Sequence, residues 1–355
     1  MPDWTKPMIQ TFEFFKVDGR TWKDTEKLDT VLSASITRDS DAETLGSARF
    51  TVTGELEECY IRTYLLTEQG GIKERFPLGT HLAQTPSQSF NGKYQSMSLD
   101  AYTPLIELKE NPPPLGYAIP SGTNIIAKAK ALVQSHARSP VVAGESSTTL
   151  DSYFIANAND KWLSFLKDLL ANADSHFEVD ETGRIIFAQN QDARSMQPVW
   201  IYSDDNSSIL LPSITVERDL YGIPNVVEVV FSNGSQNFTA IAKNENPLSP
   251  ISTVARGREI IHRETKPELL YATTQAQVNA YAKQLLRDLS CLEYTVSYSH
   301  GFCPVRVGDC VRLNYTAAGI EGINARVVSQ TINCATGCTV QEKAKFSISL
   351  IGGDA

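Results

Sequence analysis

Histidine and cysteine are scarce in this sequence: of 355 residues, five are histidine and six are cysteine. The histidines are His81, His136, His176, His262 and His300. None falls in the His-Glu-x-x-His spacing that sets two imidazoles and a general base on one helix face. The Gly-x-Ser-x-Gly elbow, which lifts a nucleophile above an α/β sheet, is absent. So is the Gly-x-x-x-x-Gly-Lys loop that wraps phosphates in backbone N–H groups. The cysteines, Cys59, Cys291, Cys303, Cys310, Cys334 and Cys338, are too sparse for a disulfide scaffold, which points to a reducing compartment. Cys334 and Cys338 have the spacing of half a zinc site, but a structural zinc takes four ligands, usually in close pairs. No second close pair exists, and the nearest histidine is His300. Buried or turn thiols are expected, with no metal, no cofactor and no catalytic residue assigned.

Long apolar runs are also missing. None approaches the ~18 residues of a membrane span, and Met1–Lys6 lacks a charged-then-apolar leader pattern. Basic charge is not in excess: 32 Lys and Arg face 41 Asp and Glu, giving a net charge of -9 and a pI near 5.2. A general nucleic-acid-binding surface would be basic. The 41% hydrophobic and 21% charged residues are those of an ordinary soluble protein long enough for two or three domains.

What is present is mostly strand pattern. Phe12–Val17 ends at the tight-turn dipeptide Asp18-Gly19. Val31–Arg38, Ala48–Thr53, Tyr60–Leu65, Leu78–Ala83 and Tyr94–Tyr102 follow, with Phe50 and Val52 on one face. Pro112-Pro113-Pro114 is a stiff linker. Beyond it the period changes to that of helices. Ser121 or Thr123 can cap a helix running to about His136, with Ile125, Ile126, Ala129, Leu132 and Val133 on one face. Asn159 and Asp160 open a second, whose stripe is Trp162, Phe165, Leu166, Leu169 and Leu170. Phe177–Val179 and Arg184–Phe187 make a hairpin around Asp180-Glu181-Thr182-Gly183. That turn lacks the alternating oxygen ligands of a calcium loop.

From about residue 205 the pattern returns to strands: Ile214–Arg218, Val226–Phe231, Leu292–Tyr298, Cys310–Tyr315, Ala325–Ile332 and Phe346–Leu350. One helix interrupts them. Thr274 and Gln277 have capping-box spacing, and Val278, Tyr281, Ala282, Leu285, Leu286 and Leu289 form its buried face. Carboxylates are plentiful, among them Asp39, Asp41, Glu43, Glu55, Glu57, Glu58, Asp204 and Asp205. A glycosidase pair is defined by separation in space, which a sequence does not display; a solvated acidic face is the expectation.

One stretch organises the rest. Pro224–Phe231 is a β-branched run, and Asn233-Gly234 is the strongest short hairpin signal. After Phe238–Ala242, the segment Asn244-x-x-Pro247-x-Ser249-Pro250-x-Ser252-Thr253-x-x-Arg256-Gly257-Arg258 reads as a polar loop that re-enters a strand at Arg258. This stretch resembles the tail hub proteins of long-tailed bacteriophages, the baseplate-hub family. Leu45–Phe50, Tyr60–Arg62 and Phe76–Thr80 resemble that family's first barrel, and Pro304–Val311 its second.

The resemblance implies a mainly β fold with α+β insertions. Two antiparallel β-barrel-like tube domains, residues 1–111 and 205–355, would flank a small α+β module at 112–204. The second barrel would carry a helical insertion at about 262–291. It further implies a structural, non-enzymatic virion protein at the tail tip, assembled in the bacterial host cytoplasm. The hub would be a homotrimer forming a pseudo-six-fold ring from two like β domains per chain. Its partners would be the tail tube or distal tail protein, the tape-measure C-terminus and a fibre or spike protein, with genomic DNA passing unbound along an acidic wall. Some relatives carry a peptidase or lysin extension; with Asp354-Ala355 directly after the last strand, none is implied here. The rival classes are a cell-wall-degrading tail hydrolase and a carbohydrate-binding adhesion module.

Overall fold

The computed structural model describes all residues except 1, 91, 93–94, 192–195, 206–207, 219, 233–235, 266–273 and 352–355. The chain divides into two compact units, residues 1–214 with 297–344, and residues 215–296 with 345–355.

The first unit opens with seven strands: β1 (Ile9–Val17), β2 (Asp24–Lys27), β3 (Val31–Asp39), β4 (Gly46–Thr53), β5 (Cys59–Gln69), β6 (Ile72–Phe90) and β7 (Gln95–Tyr102). In β4 the alternation is realised residue by residue. Ala48, Phe50 and Val52 are buried while Arg49 and Thr53 are exposed, because successive side chains leave a strand on opposite faces. Ile36, Phe50, Ile61, Leu65 and Leu78 are fully buried and form the centre of this layer.

After the short α1 (Ile106–Glu110) come β8 (Ala118–Ile119), α2 (Ile125–His136), β9 (Val141–Ala143), β10 (Phe154–Ile155), α3 (Trp162–Ala171), β11 (Ser175–Val179) and β12 (Ile185–Gln189). The two longer helices are those the apolar spacing predicts, but each begins later than expected. The cap of α2 is Asn124, whose Oδ1 accepts from Ala127 N at 2.8 Å. The backbone of Thr123 is taken up by Leu150 instead. At α3, Ser164 Oγ accepts from Lys161 N at 3.0 Å, while Asp160 closes the preceding turn by accepting from Asn157 N. The predicted stripe of α3 is buried, with Leu163 in addition, against α2, β11 and β12.

Four further strands complete the unit, all or in part: β13 (Trp200–Ser203), β14 (Leu210–Arg218), β18 (Cys291–Gly301) and β19 (Cys310–Tyr315), joined by β20 (Ile320–Asn333) and β21 (Thr339–Ser349). The division between units falls inside β14, β18 and β21. The hydrogen-bonded order runs β2-β1-β5-β6-β7-β4-β3-β20, with β19 beside β20 and β13 beside β19. Within the first unit, a strand from the C-terminal β-rich stretch thus pairs with one from the N-terminal stretch. Asp39 pairs with Ser329, Thr37 with Thr331 and Ser35 with Asn333, antiparallel. The fold is mainly β with large antiparallel sheets, as expected; no closed barrel is seen among the described residues.

In the second unit, β15 (Val226–Ser232) and β16 (Asn237–Lys243) pair antiparallel, and β17 (Ile261–Glu264) pairs parallel to β15. The Asn233-Gly234 turn predicted between β15 and β16 lies outside the described residues. Helix α5 (Gln275–Leu289) packs Val278, Ala282 and Leu286 on Val227, Val229, Ala240 and Ala242. Its predicted capping box is present: Thr274 Oγ1 accepts from Gln277 N, and Gln277 Oε1 accepts from Thr274 N.

The predicted polar loop is an ordered element. Ser252 caps a short helix, α4 (Thr253–Arg256), through its Oγ and Ala255 N at 3.0 Å. Gly257, at φ 62°, ends it. Asn225, fully buried, ties both ends of the excursion: its Nδ2 donates to Ile251 O and Arg258 O, and its Oδ1 accepts from Ile260 N. Arg256 Nη1 donates to Ile223 O at 2.8 Å. The regular strand resumes at Ile261, three residues later than Arg258, because Asn225 holds the intervening backbone.

Candidate functional site

The polar groups of the first unit converge on the turn between β11 and β12. Asp180 Oδ1 accepts from Thr182 Oγ1 and Arg184 N, both at 2.8 Å, which makes the turn rigid. Gly183 sits at φ 76°, and a methyl group there would lie 2.7 Å from Thr80 Cβ and 3.0 Å from the Trp22 ring. The turn is thus pressed against β6. Thr182 O accepts from Trp22 Nε1 at 2.8 Å and from Arg62 Nη2 at 2.9 Å. Arg62 is itself fixed by Thr80 Oγ1 and the Asp24 carboxylate. The Glu181 carboxylate lies 2.6 Å from Arg306 and 3.4 Å from Arg38, with its side chain 11% exposed.

Arg38 carries the polar chain inward. It donates to Leu78 O at 2.7 Å and to Gln330 Oε1 at 3.3 Å. Gln330 Nε2 donates to Glu342 at 2.6 Å. Glu342 lies 3.3 Å from His300, and neither side chain has exposed surface. Tyr298 donates to the other oxygen of Glu342. Tyr202 OH sits 3.1 Å from His300 Nε2 and 3.2 Å from Cys303 Sγ. Burial alone would strip the proton from His300. The hydrogen bonds to Cys303 and Glu342 and the carboxylate charge outweigh it, and push its pKa up to about 10. A buried, charged pair with every polar atom engaged specifies one arrangement of strands more than it adds stability.

Nothing in the sequence marks this network as a motif. Its members come from five separate segments. The readable signal was a carboxylate on a buried strand face, since Glu342 alternates with Val340 and Ala344.

Of the residues singled out in the sequence, Asp39, His81 and His176 line one cavity of the first unit, and His300 contacts Cys303. His136 lies against the Trp162 ring, His176 contacts Asn190 and Glu178, and His262 is 3.9 Å from Glu264. His81 is buried alone; burial and the nearby Arg38 charge lower its pKa to about 3, leaving the ring neutral. Glu55, Glu57 and Glu58 are exposed; Glu43 pairs with Lys109, and Asp204 accepts from Thr316 N. Cys334 and Cys338 are buried free thiols, and burial pushes Cys338 up to about 12. Among the described residues no group of three or more His, Cys, Asp or Glu could hold a metal ion. No helix among them is long and apolar enough to cross a membrane.

No protein-family model and no curated protein matches the chain. Solved structures do. A tail protein from Neisseria meningitidis MC58 is similar with a TM-score of 0.65 at 13% identity, over 95% of this chain and 96% of that one. The 43 kDa tail protein of prophage MuSo2 from Shewanella oneidensis gives 0.62 at 10% identity, over 95% and 98%. The prophage tail protein gp18 from Listeria monocytogenes EGD-e gives 0.52 at 13% identity, over 96% and 95%. At these identities it is the fold that is shared: this chain has the fold of phage tail proteins along nearly its whole length.

Proposed function

We propose that this chain is a structural protein of a bacteriophage tail, and specifically a tail hub. The observation that carries the reading is the end-to-end match of fold to two tail proteins, covering at least 95% of both chains in each case. In this reading the β-rich regions 1–111 and 205–355 form the tube wall and the module 112–204 lies outside it. Three copies, with two like β regions each, present six similar units to a six-fold tube and leave three-fold symmetry for the tip. The pairing of β3 with β20 supports a continuous wall, since it joins strands from both β-rich stretches within the first unit. The distal tail protein, the tape-measure C-terminus and a fibre or spike protein are the neighbours. DNA passes without specific binding, as the net charge of -9 favours. The protein is not an enzyme in this reading, and belongs to the virion tail tip.

Native mass spectrometry and negative-stain imaging of the purified chain test this. A closed trimer with six-fold-like inner density is expected. A stable monomer, or a ring of another number, overturns it. Incubation with purified peptidoglycan should release no reducing ends or free amines above buffer level.

A further inference from the structure

A cavity of about 440 Å³ lies in the first unit between β3, β6 and β20 on one side and α3, β11 and β12 on the other. The cavity is partly open to solvent, and its volume is in the range of small-ligand sites. Leu45, Leu78, Phe177, Val179, Ile186 and Val307 give it apolar walls. Arg38, Lys167, Arg306 and Arg326 bring four cationic side chains to it.

The carboxylates on the same wall are already engaged. Glu181 serves Arg38 and Arg306, Asp180 is bound to Arg184, and Glu178 is bound to His176. Lys167 donates to Glu43 O at 2.8 Å. Arg326 is different: among the described residues its side chain forms no hydrogen bond or ion pair, and its charge acts on the Glu178 carboxylate only through space. It lies beside the turn at Gly308, where an added methyl would be 4.0 Å from Arg326 Nη2 and 3.8 Å from Glu178 Oε1. A second polar group is unused as well. His81 lines the cavity at 3% exposure, and its Nδ1 has no hydrogen-bond partner. A buried polar atom without a partner costs free energy, and such atoms are uncommon enough in folded proteins to call for a ligand or a water.

We propose that this cavity binds a carboxylate carried on an apolar stem. The stem would rest on the Leu78, Phe177 and Ile186 wall, and the carboxylate would pair with the Arg326 guanidinium. A guanidinium matches a carboxylate with two parallel N–H···O bonds, which no alcohol or amine reproduces. Two sources supply this chemistry: a free amphipathic acid and the C-terminal carboxylate of a protein chain.

The test is a calorimetric and NMR titration of the full chain with hexanoate, hexanol and hexylamine. Saturable hexanoate binding is expected, at least about tenfold tighter than either neutral or cationic analogue. Arg326→Gln, which removes a guanidinium that holds no hydrogen bond or ion pair among the described residues, should leave the melting temperature nearly unchanged and weaken hexanoate about tenfold or more. A short peptide ending in Leu-Phe is titrated as the acid and as the amide. Binding of the acid alone supports the proposal and names a protein C-terminus as its source. Hexanoate binding with neither peptide supports it and names a free acid. Equal affinity for hexanol, an unchanged affinity in Arg326→Gln, or no saturable hexanoate binding overturns it.

Discussion

His300 and Glu342 stand 3.3 Å apart with no side-chain surface open to solvent. With His300 raised from 6.5 to about 10 in the folded chain, its contribution to stability is whole below about pH 6.5. It is lost as pH climbs through about 10. The melting temperature should therefore fall between pH 7 and pH 10.5, and His300→Gln should flatten that fall. Parallel curves for the two proteins would contradict the pairing. Glu342→Gln leaves a buried cation without its counter-charge and should cost about 3–5 kcal/mol in urea unfolding at pH 7.

Gly183→Ala places a methyl against Thr80 and Trp22 at a left-handed backbone position. A loss of more than about 1 kcal/mol is expected, seen as a drop in melting temperature by scanning fluorimetry. An unchanged value would mean that the turn is not pressed against β6.

Leu166 is fully buried in the middle of the α3 stripe. Leu166→Ala should cost about 2–5 kcal/mol in denaturant unfolding. A cost below this range would place the stripe outside the core.

Asn225→Ala removes three hydrogen bonds from one fully buried side chain. Unpaired backbone groups then remain inside, each costing about 1–3 kcal/mol. Limited proteolysis should open the segment 246–258 faster than in the parent chain, and equal cleavage rates would sink this assignment.

The elements that could be read from the residues are those whose signal is local. Trp162 to Leu170 and Val278 to Leu289 repeat at helical spacing, and Thr274 with Gln277 closes a cap within four positions. The strand at Ala48–Val52 shows its buried face by alternation alone. Helix α1 and strands β2, β8, β9 and β10 span two to five residues each, too few for a period to register. One segment without period holds more order than its composition displays. Pro247–Arg258 reads as a loop because of its prolines and serines, yet Asn225, more than twenty positions upstream, orders it. The His300–Glu342 network was illegible for the same reason. Its partners lie up to 292 positions apart, as Arg38 and Gln330 do, and pairing across such distances leaves no local pattern.

The join between β3 and β20 also sets a schedule. Thr37 and Thr331 touch across 294 positions of chain. A ribosome adding roughly 5–20 residues per second needs about 15–60 s to travel from one to the other. During that time Ser35–Asp39 offers a bare strand edge, the surface through which chains stick to one another. Contacts of such long sequence separation also form slowly once both halves exist. Production of the soluble protein therefore depends on what shields that edge in the nascent chain, and slower synthesis in the cold, with chaperone in excess, should raise the yield.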